Sequence, residues 1–281
     1  MKISVITVNR NNVRGLRKTI ESVVFQTVSP FEFIVIDGAS SDGSANLLQE
    51  FAASISYSVS EPDKGIYPAM NKGIARAHGD YCIFMNSGDC FCDSDVLWKV
   101  MNSGSDADVI CGNAVILTDP PSRKSHPDVI TMQYLFNGSI CHQAAFIKRK
   151  LLAKGYDESL RIVADRKLFL EALVLNGCSY QHIDVDIVNY DVTGFSAVHR
   201  FESEQEWQGV LRAELPERIL LDYGQKNEGE LYGTTPYERL FLEIGRRRWR
   251  HPVYRLIRGG LSFLSLFIPS ARFAKSFPKR C

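Results

Sequence analysis

The chain has 281 residues, 45% of them hydrophobic and 23% charged, with a formal net charge of +1. That balance excludes disorder as the main state and supplies apolar material for one large core, or for a core with an appendage. Seven cysteines, Cys82, Cys90, Cys92, Cys111, Cys141, Cys178 and Cys281, are odd in number and scattered, which predicts a reduced, mostly buried set; Cys90-Phe91-Cys92 lacks the spacing and the second pair of a structural zinc site.

In chain order, Lys2 to Val8 reads as an apolar strand ending in polar Asn9-Arg10-Asn11. No basic segment and apolar run precede it, so no secretory signal is expected and the catalytic body is expected in the cytosol. Val13 to Phe25 carries Leu16, Ile20, Val23 and Val24 at helical spacing. Phe33 to Ile36 is a second strand, closing in Asp37-Gly38-Ala39-Ser40-Ser41-Asp42-Gly43, and Ala45 to Phe51 a second helix. Ile55 to Val59 (strand), Ile66 to Ala77 (helix), Tyr81 to Met85 (strand), Asp95 to Met101 (helix) and Val109 to Leu117 (one or two strands) follow. This alternation implies an α/β fold with a doubly wound, mainly parallel sheet and helices on both faces. The segment Asp119 to Pro127, rich in Pro, Ser and charge, reads as an acceptor-side lid or as an ordinary surface loop. Ala164 to Leu175 returns to a helix and Tyr180 to Val188 to a strand.

Three strands deliver polar groups to one edge, and Asn86-Ser87-Gly88-Asp89 is the most telling of these ends. A small loop with one carboxylate at a strand terminus can hold a divalent metal against a diphosphate, because open α/β sheets bind ligands beyond the carboxyl ends of their strands. Each piece alone has a plainer reading, since Asp-Gly pairs make turns and an Asp after a strand often caps a helix. Their ordered recurrence after successive strands favours a site.

The order Ile6-Thr7-Val8-Asn9-Arg10-Asn11, then Val35-Ile36-Asp37-Gly38-Ala39-Ser40-Ser41-Asp42-Gly43, then Ser60-Glu61-Pro62-Asp63-Lys64-Gly65-Ile66-Tyr67-Pro68-Ala69-Met70-Asn71-Lys72-Gly73, then Phe84-Met85-Asn86-Ser87-Gly88-Asp89 resembles family 2 glycosyltransferases of the GT-A fold. It is similar to the bacterial branch that assembles exopolysaccharide and lipopolysaccharide repeat units, such as the colanic-acid enzymes. The resemblance covers residues 1–200, the expected catalytic domain. It implies Asp89 as ligand of Mg²⁺ or Mn²⁺, standing without the second Asp of the family's metal motif. It places Asp37 on the base or ribose, Thr7 and Asn9 on the floor of the nucleotide site and Asp63 where the base is held. Gly38, Gly65 and Gly73 would let backbone approach the ligand, and Lys72 and Arg76 would meet phosphate or solvent. It implies His142 and Gln143, of Cys141-His142-Gln143, as substrate-binding residues. Asp165 is the implied catalytic base, followed by Arg166 where the family has an aromatic; by position alone it is equally a helix N-cap. Thr193-Gly194-Phe195-Ser196 is similar to a loop that closes over the diphosphate, with His199 an added metal or phosphate contact.

Residues 201–281 form an expected helical appendage: Phe201 to Tyr223, Pro236 to Trp249 and Pro252 to Ile268 read as amphipathic helices. From 239 to 281, eleven Lys or Arg face only Glu243, a local +10 that leaves −9 for the other residues. A basic, Trp- and Tyr-bearing segment over 246–268 predicts peripheral contact with an anionic inner-membrane surface at its cytoplasmic face, or packing on the protein itself. No nucleic-acid motif accompanies the charge. The expected activity is inverting transfer from a UDP- or GDP-sugar to a saccharide or lipid-linked saccharide. The alternatives are a nucleotidyltransferase, whose Gly-rich first loop is missing here, and an inactive nucleotide-binding or membrane-scaffold protein.

Overall fold

The computed structural model describes residues 1–192, 194 and 199–224. The chain divides into two units, Met1–Glu214 and Leu215–Cys281. In the first, strands β1 (Ile3–Asn9), β2 (Glu32–Asp37), β3 (Tyr57–Ser60) and β4 (Tyr81–Phe84) form a parallel block in the order β3-β2-β1-β4. Every residue of β1, β2 and β4 is buried, as continuous apolar runs in a sheet covered on both faces require. Helices α1 (Val13–Val24) and α2 (Ser44–Glu50) connect β1 to β2 to β3, and α3 (Ile66–Arg76) carries the chain back to β4. Right-handed crossovers put α3 on the face opposite α1 and α2. The strand order reverses between β1 and β4, and a ligand crevice opens at such a switch point.

Beyond β4 the sheet becomes mixed. After β5 (Cys90–Phe91) and α4 (Val96–Met101) come β6 (Val109–Ile116), β7 (Ser122–Lys124), α5 (Met132–Asn137) and β8 (Ala145–Lys148). Then follow α6 (Ala164–Phe169), which continues as a π-helical turn over Leu170–Leu175, β9 (Tyr180–Tyr190) and α7 (Arg200–Glu214). β8 lies antiparallel between β4 and β6, and β9 runs parallel to β6 with β5 antiparallel on its far side. These directions matter for function. Because β8 runs against β4, the turn His142–Ala144 that precedes it arrives at the carboxyl end of β4. Because Cys90 pairs with Asn189, the end of β9 arrives beside Asp89.

The 119–127 segment is a hairpin arm rather than a loose loop: β7 pairs with β6, Val115 opposite Arg123. His126 beyond it is buried. α7 belongs to the first unit, where Trp207 is fully buried. The single helix expected over Phe201 to Tyr223 is divided at Leu215-Pro216, and α8 (Glu217–Gly224) starts in the second unit, since a proline lacks the N–H that a continuous helix needs. The six described cysteines are free thiols, and burial pushes Cys82, Cys92 and Cys141 up to about 12. The helices expected over 236–268, with Thr193, lie outside the described residues.

Candidate active site

A cavity of 920 Å³ opens at the switch point, lined among others by Asn9, Gly38, Asp63, Gly65, Asn86, Asp89, His142, Gln143, Asp165 and Asp191. Strand register builds its floor. Asn9, Asp37 and Ser60 are neighbours across β1, β2 and β3, so Asp37 receives Asn9 Nδ2 at 2.7 Å, Ser60 Oγ at 2.5 Å, and the Ser40 N–H and hydroxyl at 2.9 and 2.6 Å. Burial alone would raise this carboxyl, but the hydrogen bonds from Ser40, Ser60 and Asn9 outweigh it and hold Asp37 below its ordinary value. Asp37 is fully buried and absent from the cavity wall; its bonds tie strand ends and loop together. Asn9 does line the cavity, with its Oδ1 buried and unpartnered.

Three other expected contacts are also off the wall. Thr7 donates to the Met85 carbonyl at 2.7 Å, stitching β1 to β4. Lys72 pairs with Glu61 and Asp63, both at 2.6 Å, and the Arg76 guanidinium lies 4.6 Å from the Tyr57 ring centroid. Lys72 and Arg76 point along one helix face, as their spacing requires, but towards protein partners. Gly73 serves packing, not a ligand: a Cβ there would collide with Ile6 of β1. Gly38, Asp63 and Gly65 are on the wall as expected, joined by Lys64.

Asp89, in the loop after β4, is only 5% exposed. Its Oδ2 accepts from Gln143 Nε2 at 3.1 Å and its Oδ1 from the Asp191 N–H at 2.9 Å. Burial still dominates and pushes Asp89 up to about 6. Gly88 has φ +110°, and a Cβ on it would sit 3.1 Å from Asp191 Oδ2, so a second carboxylate lies against this turn. Asn86 Oδ1 is buried without a partner on the same wall. A buried carboxylate raised by desolvation, an orphaned amide oxygen and a neighbouring carboxylate make a hard-oxygen set that suits Mg²⁺ or Mn²⁺. Among the described residues, no group of three His, Cys, Asp or Glu could hold a metal by itself, so ligand oxygens would have to complete the shell.

Asp165 sits in the first turn of α6, one residue inside the helix, while Val163 holds the N-cap position without a side-chain cap bond. Its carboxylate is spent elsewhere: Oδ2 accepts from His142 Nδ1 at 2.7 Å and Oδ1 from Tyr67 Oη at 2.9 Å. Burial would raise Asp165, but the adjacent His142 and the Tyr67 hydroxyl hold it below the ordinary carboxylate value. A carboxylate only accepts, so His142 Nδ1 carries the proton. Nε2 then faces Asn86 Nδ2 at 3.4 Å. His142 and Gln143, expected on substrate, are thus consecutive residues that each hold a cavity carboxylate, Asp165 and Asp89 respectively.

Arg166 explains why α6 tolerates a base where an aromatic was expected. It is buried, donates to the Leu135 and Phe136 carbonyls at 2.7 and 3.0 Å, and stacks 3.9 Å from the Trp207 ring centroid. His199 precedes α7, its carbonyl accepting from the Ser203 N–H at 2.9 Å, and is not among the wall residues. Asp191 and Tyr67 escaped the sequence reading. Tyr67 stood inside a quoted motif, and Asp191 two residues before the Thr193 loop, but neither spacing pointed at a partner.

The model of the family described as "Glycosyl transferase family 2" matches residues 4–164. An uncharacterized glycosyltransferase of Mycobacterium tuberculosis is 31% identical over 87% of this chain and 98% of its own length. A PGL/p-HBAD biosynthesis glycosyltransferase of Mycobacterium bovis is 25% identical over 68% of this chain and 77% of its own. Among solved structures, S. aureus TarS in complex with UDP-GlcNAc aligns with a TM-score of 0.62 at 16% identity, covering 78% of this chain and 69% of that one. Mannosyltransferase PcManGT from Pyrobaculum calidifontis, in complex with GDP-Man and Mn²⁺, gives 0.59 at 15% identity over 95% and 81%. Both carry the GT-A architecture described above.

Proposed function

This chain belongs to glycosyl transferase family 2, and from that premise we propose that it transfers a sugar, with inversion, from a UDP- or GDP-sugar to a hydroxyl of a saccharide or lipid-linked saccharide in bacterial surface polysaccharide assembly. Family membership decides for glycosyl over nucleotidyl transfer. The observation that carries the reading is the pair of carboxylates on one cavity wall, Asp89 held by Gln143 and Asp165 held by His142. The TarS and PcManGT structures hold UDP-GlcNAc and GDP-Man respectively, which supports a nucleotide-sugar donor here.

Asp89, with Asn86 Oδ1 and Asp191 nearby, would hold a divalent cation, which when bound neutralises charge developing on the departing diphosphate. Asn9, Gly38, Asp63 and Gly65 form the part of the wall that receives the nucleotide. Asp165 takes the proton of the attacking hydroxyl. His142 and Tyr67 fix both of its oxygens and keep it ionised, the state in which it can accept. Residues 1–200 would form the catalytic body, joined by α7 of the same unit, and the rest of 201–281 an appendage, whose 246–268 segment makes peripheral contact with the cytoplasmic face of the inner membrane. Its support is the local +10 over 239–281; no helix among the described residues is long and apolar enough to cross a membrane. A panel of UDP- and GDP-sugars with Mn²⁺, scored by thermal shift and by nucleoside diphosphate release, tests the donor class. Absence of both signals across the panel would return the chain to the inactive-scaffold alternative.

A further inference from the structure

Glu206 lies on α7, beyond the stretch 4–164 that the family model matches, and it is not on the cavity wall. Yet it holds the stretch of backbone that leads into the helix carrying Asp165. That stretch, 161–163, precedes α6 and ends at the N-cap residue Val163, which has no side-chain cap bond of its own. Glu206 takes its N–H groups: Oε1 accepts from the Arg161 N–H at 2.7 Å, and Oε2 from the Ile162 and Val163 N–H groups at 2.7 and 2.9 Å. Three donors end on one carboxylate.

The same backbone is gripped from its other side. The Ile162 carbonyl accepts from Tyr67 Oη at 2.6 Å, the hydroxyl that also reaches Asp165. One phenolic proton serves both acceptors, so the position of Ile162 decides how Tyr67 meets Asp165. Trp207, next to Glu206, is fully buried under the Arg166 guanidinium. Consecutive residues of α7 therefore hold the chain on both sides of Asp165, Glu206 before it and Trp207 after it.

We propose that Glu206 is a positioning residue for Asp165: it fixes the backbone of 161–163 and so aims the Asp165 carboxylate at the acceptor, without touching substrate itself. The proposal rests on Asp165 being the proton acceptor. Its test uses the full chain as E206A, E206Q, D165N and E206A/D165N, following nucleoside diphosphate release from the sugar-nucleotide panel with Mn²⁺, UDP and GDP binding by calorimetry, and amide exchange. E206A should lower kcat by about 10²-fold, the scale of an ångström-sized misplacement, with nucleotide affinity within about threefold of wild type as for a site away from the binding wall. Amides of 161–163 should lose protection while β1 and β4 keep theirs. E206Q, with one acceptor oxygen for three donors, should fall between. The decisive comparison is the double variant: an effect that acts through Asp165 leaves E206A/D165N no slower than D165N. A wild-type rate in E206A below its melting midpoint, or the same fractional loss on the D165N background, overturns the proposal. D165N turning over at the wild-type rate refutes the acceptor-base reading itself and removes this proposal with it. If E206A does not fold, E206Q and its double variant carry the same comparison.

Discussion

Asp165 lies inside α6 while Val163 holds its N-cap position, and its carboxylate oxygens are held by His142 and Tyr67, so replacing it separates chemistry from folding more cleanly than its place in a first helical turn suggests. D165N keeps the shape and can still accept from Tyr67 or His142 with its one amide oxygen, but it loses basicity. Turnover should fall by about 10² to 10⁴, with nucleotide affinity and melting midpoint close to wild type; kcat and midpoint measured on one preparation check this. Asp89 differs because it is buried. D89A should abolish Mn²⁺-dependent turnover, and it also strands the Gln143 amide and the Asp191 N–H, which costs about 1–3 kcal/mol. A urea titration of D89A that matches wild type would contradict the buried geometry. Asp37, with four hydrogen bonds and no face on the cavity, should behave as a structural residue. D37A is expected to lose roughly 2–4 kcal/mol of stability, the cost of breaking a buried network around a charge. Its nucleotide affinity should change only as far as the strand ends move, and calorimetry with UDP and GDP reads that difference.

At the scale of elements, the hairpin arm and the 142–144 turn meet through one histidine. His126 Nε2 accepts the Cys141 N–H at 3.3 Å, so Nδ1 carries the proton and donates to Tyr134 Oη at 2.7 Å. Burial first, then Lys124 and His182, push His126 down to about 4. Its native value lies below the ordinary 6.5, so between pH 6.5 and 4 the unfolded chain binds a proton that the native chain does not. Stability from this group is complete above pH 6.5 and is lost as pH falls through that window, by roughly 3 kcal/mol at most. Asp89, raised to about 6, acts with the opposite sign in the same range, since there the native state binds the extra proton. Carboxylates held below their ordinary value, Asp37, Asp157 and Asp165 among them, also lose stability as pH falls, so the variant is what isolates the histidine. H126Q in EDTA should be less stable than wild type at pH 7.5 but should gain on it as pH falls towards 4.5. Parallel midpoint curves for the two proteins would assign the titration elsewhere.

For the whole molecule, ligand linkage is the most direct readout. A nucleotide that binds only the native state at 100 times its Kd should add about 2.7 kcal/mol, and if Asp89 and its neighbours hold a cation that also serves the diphosphate, Mn²⁺ and UDP or GDP together should exceed the sum of each alone. EDTA should abolish that excess. The basic segment makes a separate prediction. The full chain should cosediment with anionic vesicles in low salt and be released as salt rises, while a chain ending at Gly224 should not, because juxtamembrane Lys and Arg each contribute about 1 kcal/mol that falls off within a Debye length. Equal sedimentation of both forms would leave the segment with another role.

Local signals were enough to read the parallel block from the sequence. Apolar runs bounded by Asn9, Asp37 and Asn86, with helical spacing between them, specify strand, helix and polar edge through interactions a few residues apart. The family resemblance, not those signals, assigned Asn9, Gly38, Asp63, Gly65, Asp89, His142, Gln143 and Asp165 to a site, and all eight line one cavity, whereas Thr7, Asp37, Lys72 and Arg76 do not. What each side chain touches was decided only by the tertiary structure. Asp37 is consumed by neighbours that strand register supplies, and Lys72 by Glu61 and Asp63 in the loop before its helix. Asp89 meets Gln143 because β8 runs antiparallel to β4, Asp191 because β5 pairs with β9, and the backbone leading into α6 meets Glu206 of a later helix. Pairings of this kind depend on crossovers and register over tens of residues, and no window along the chain contains both partners.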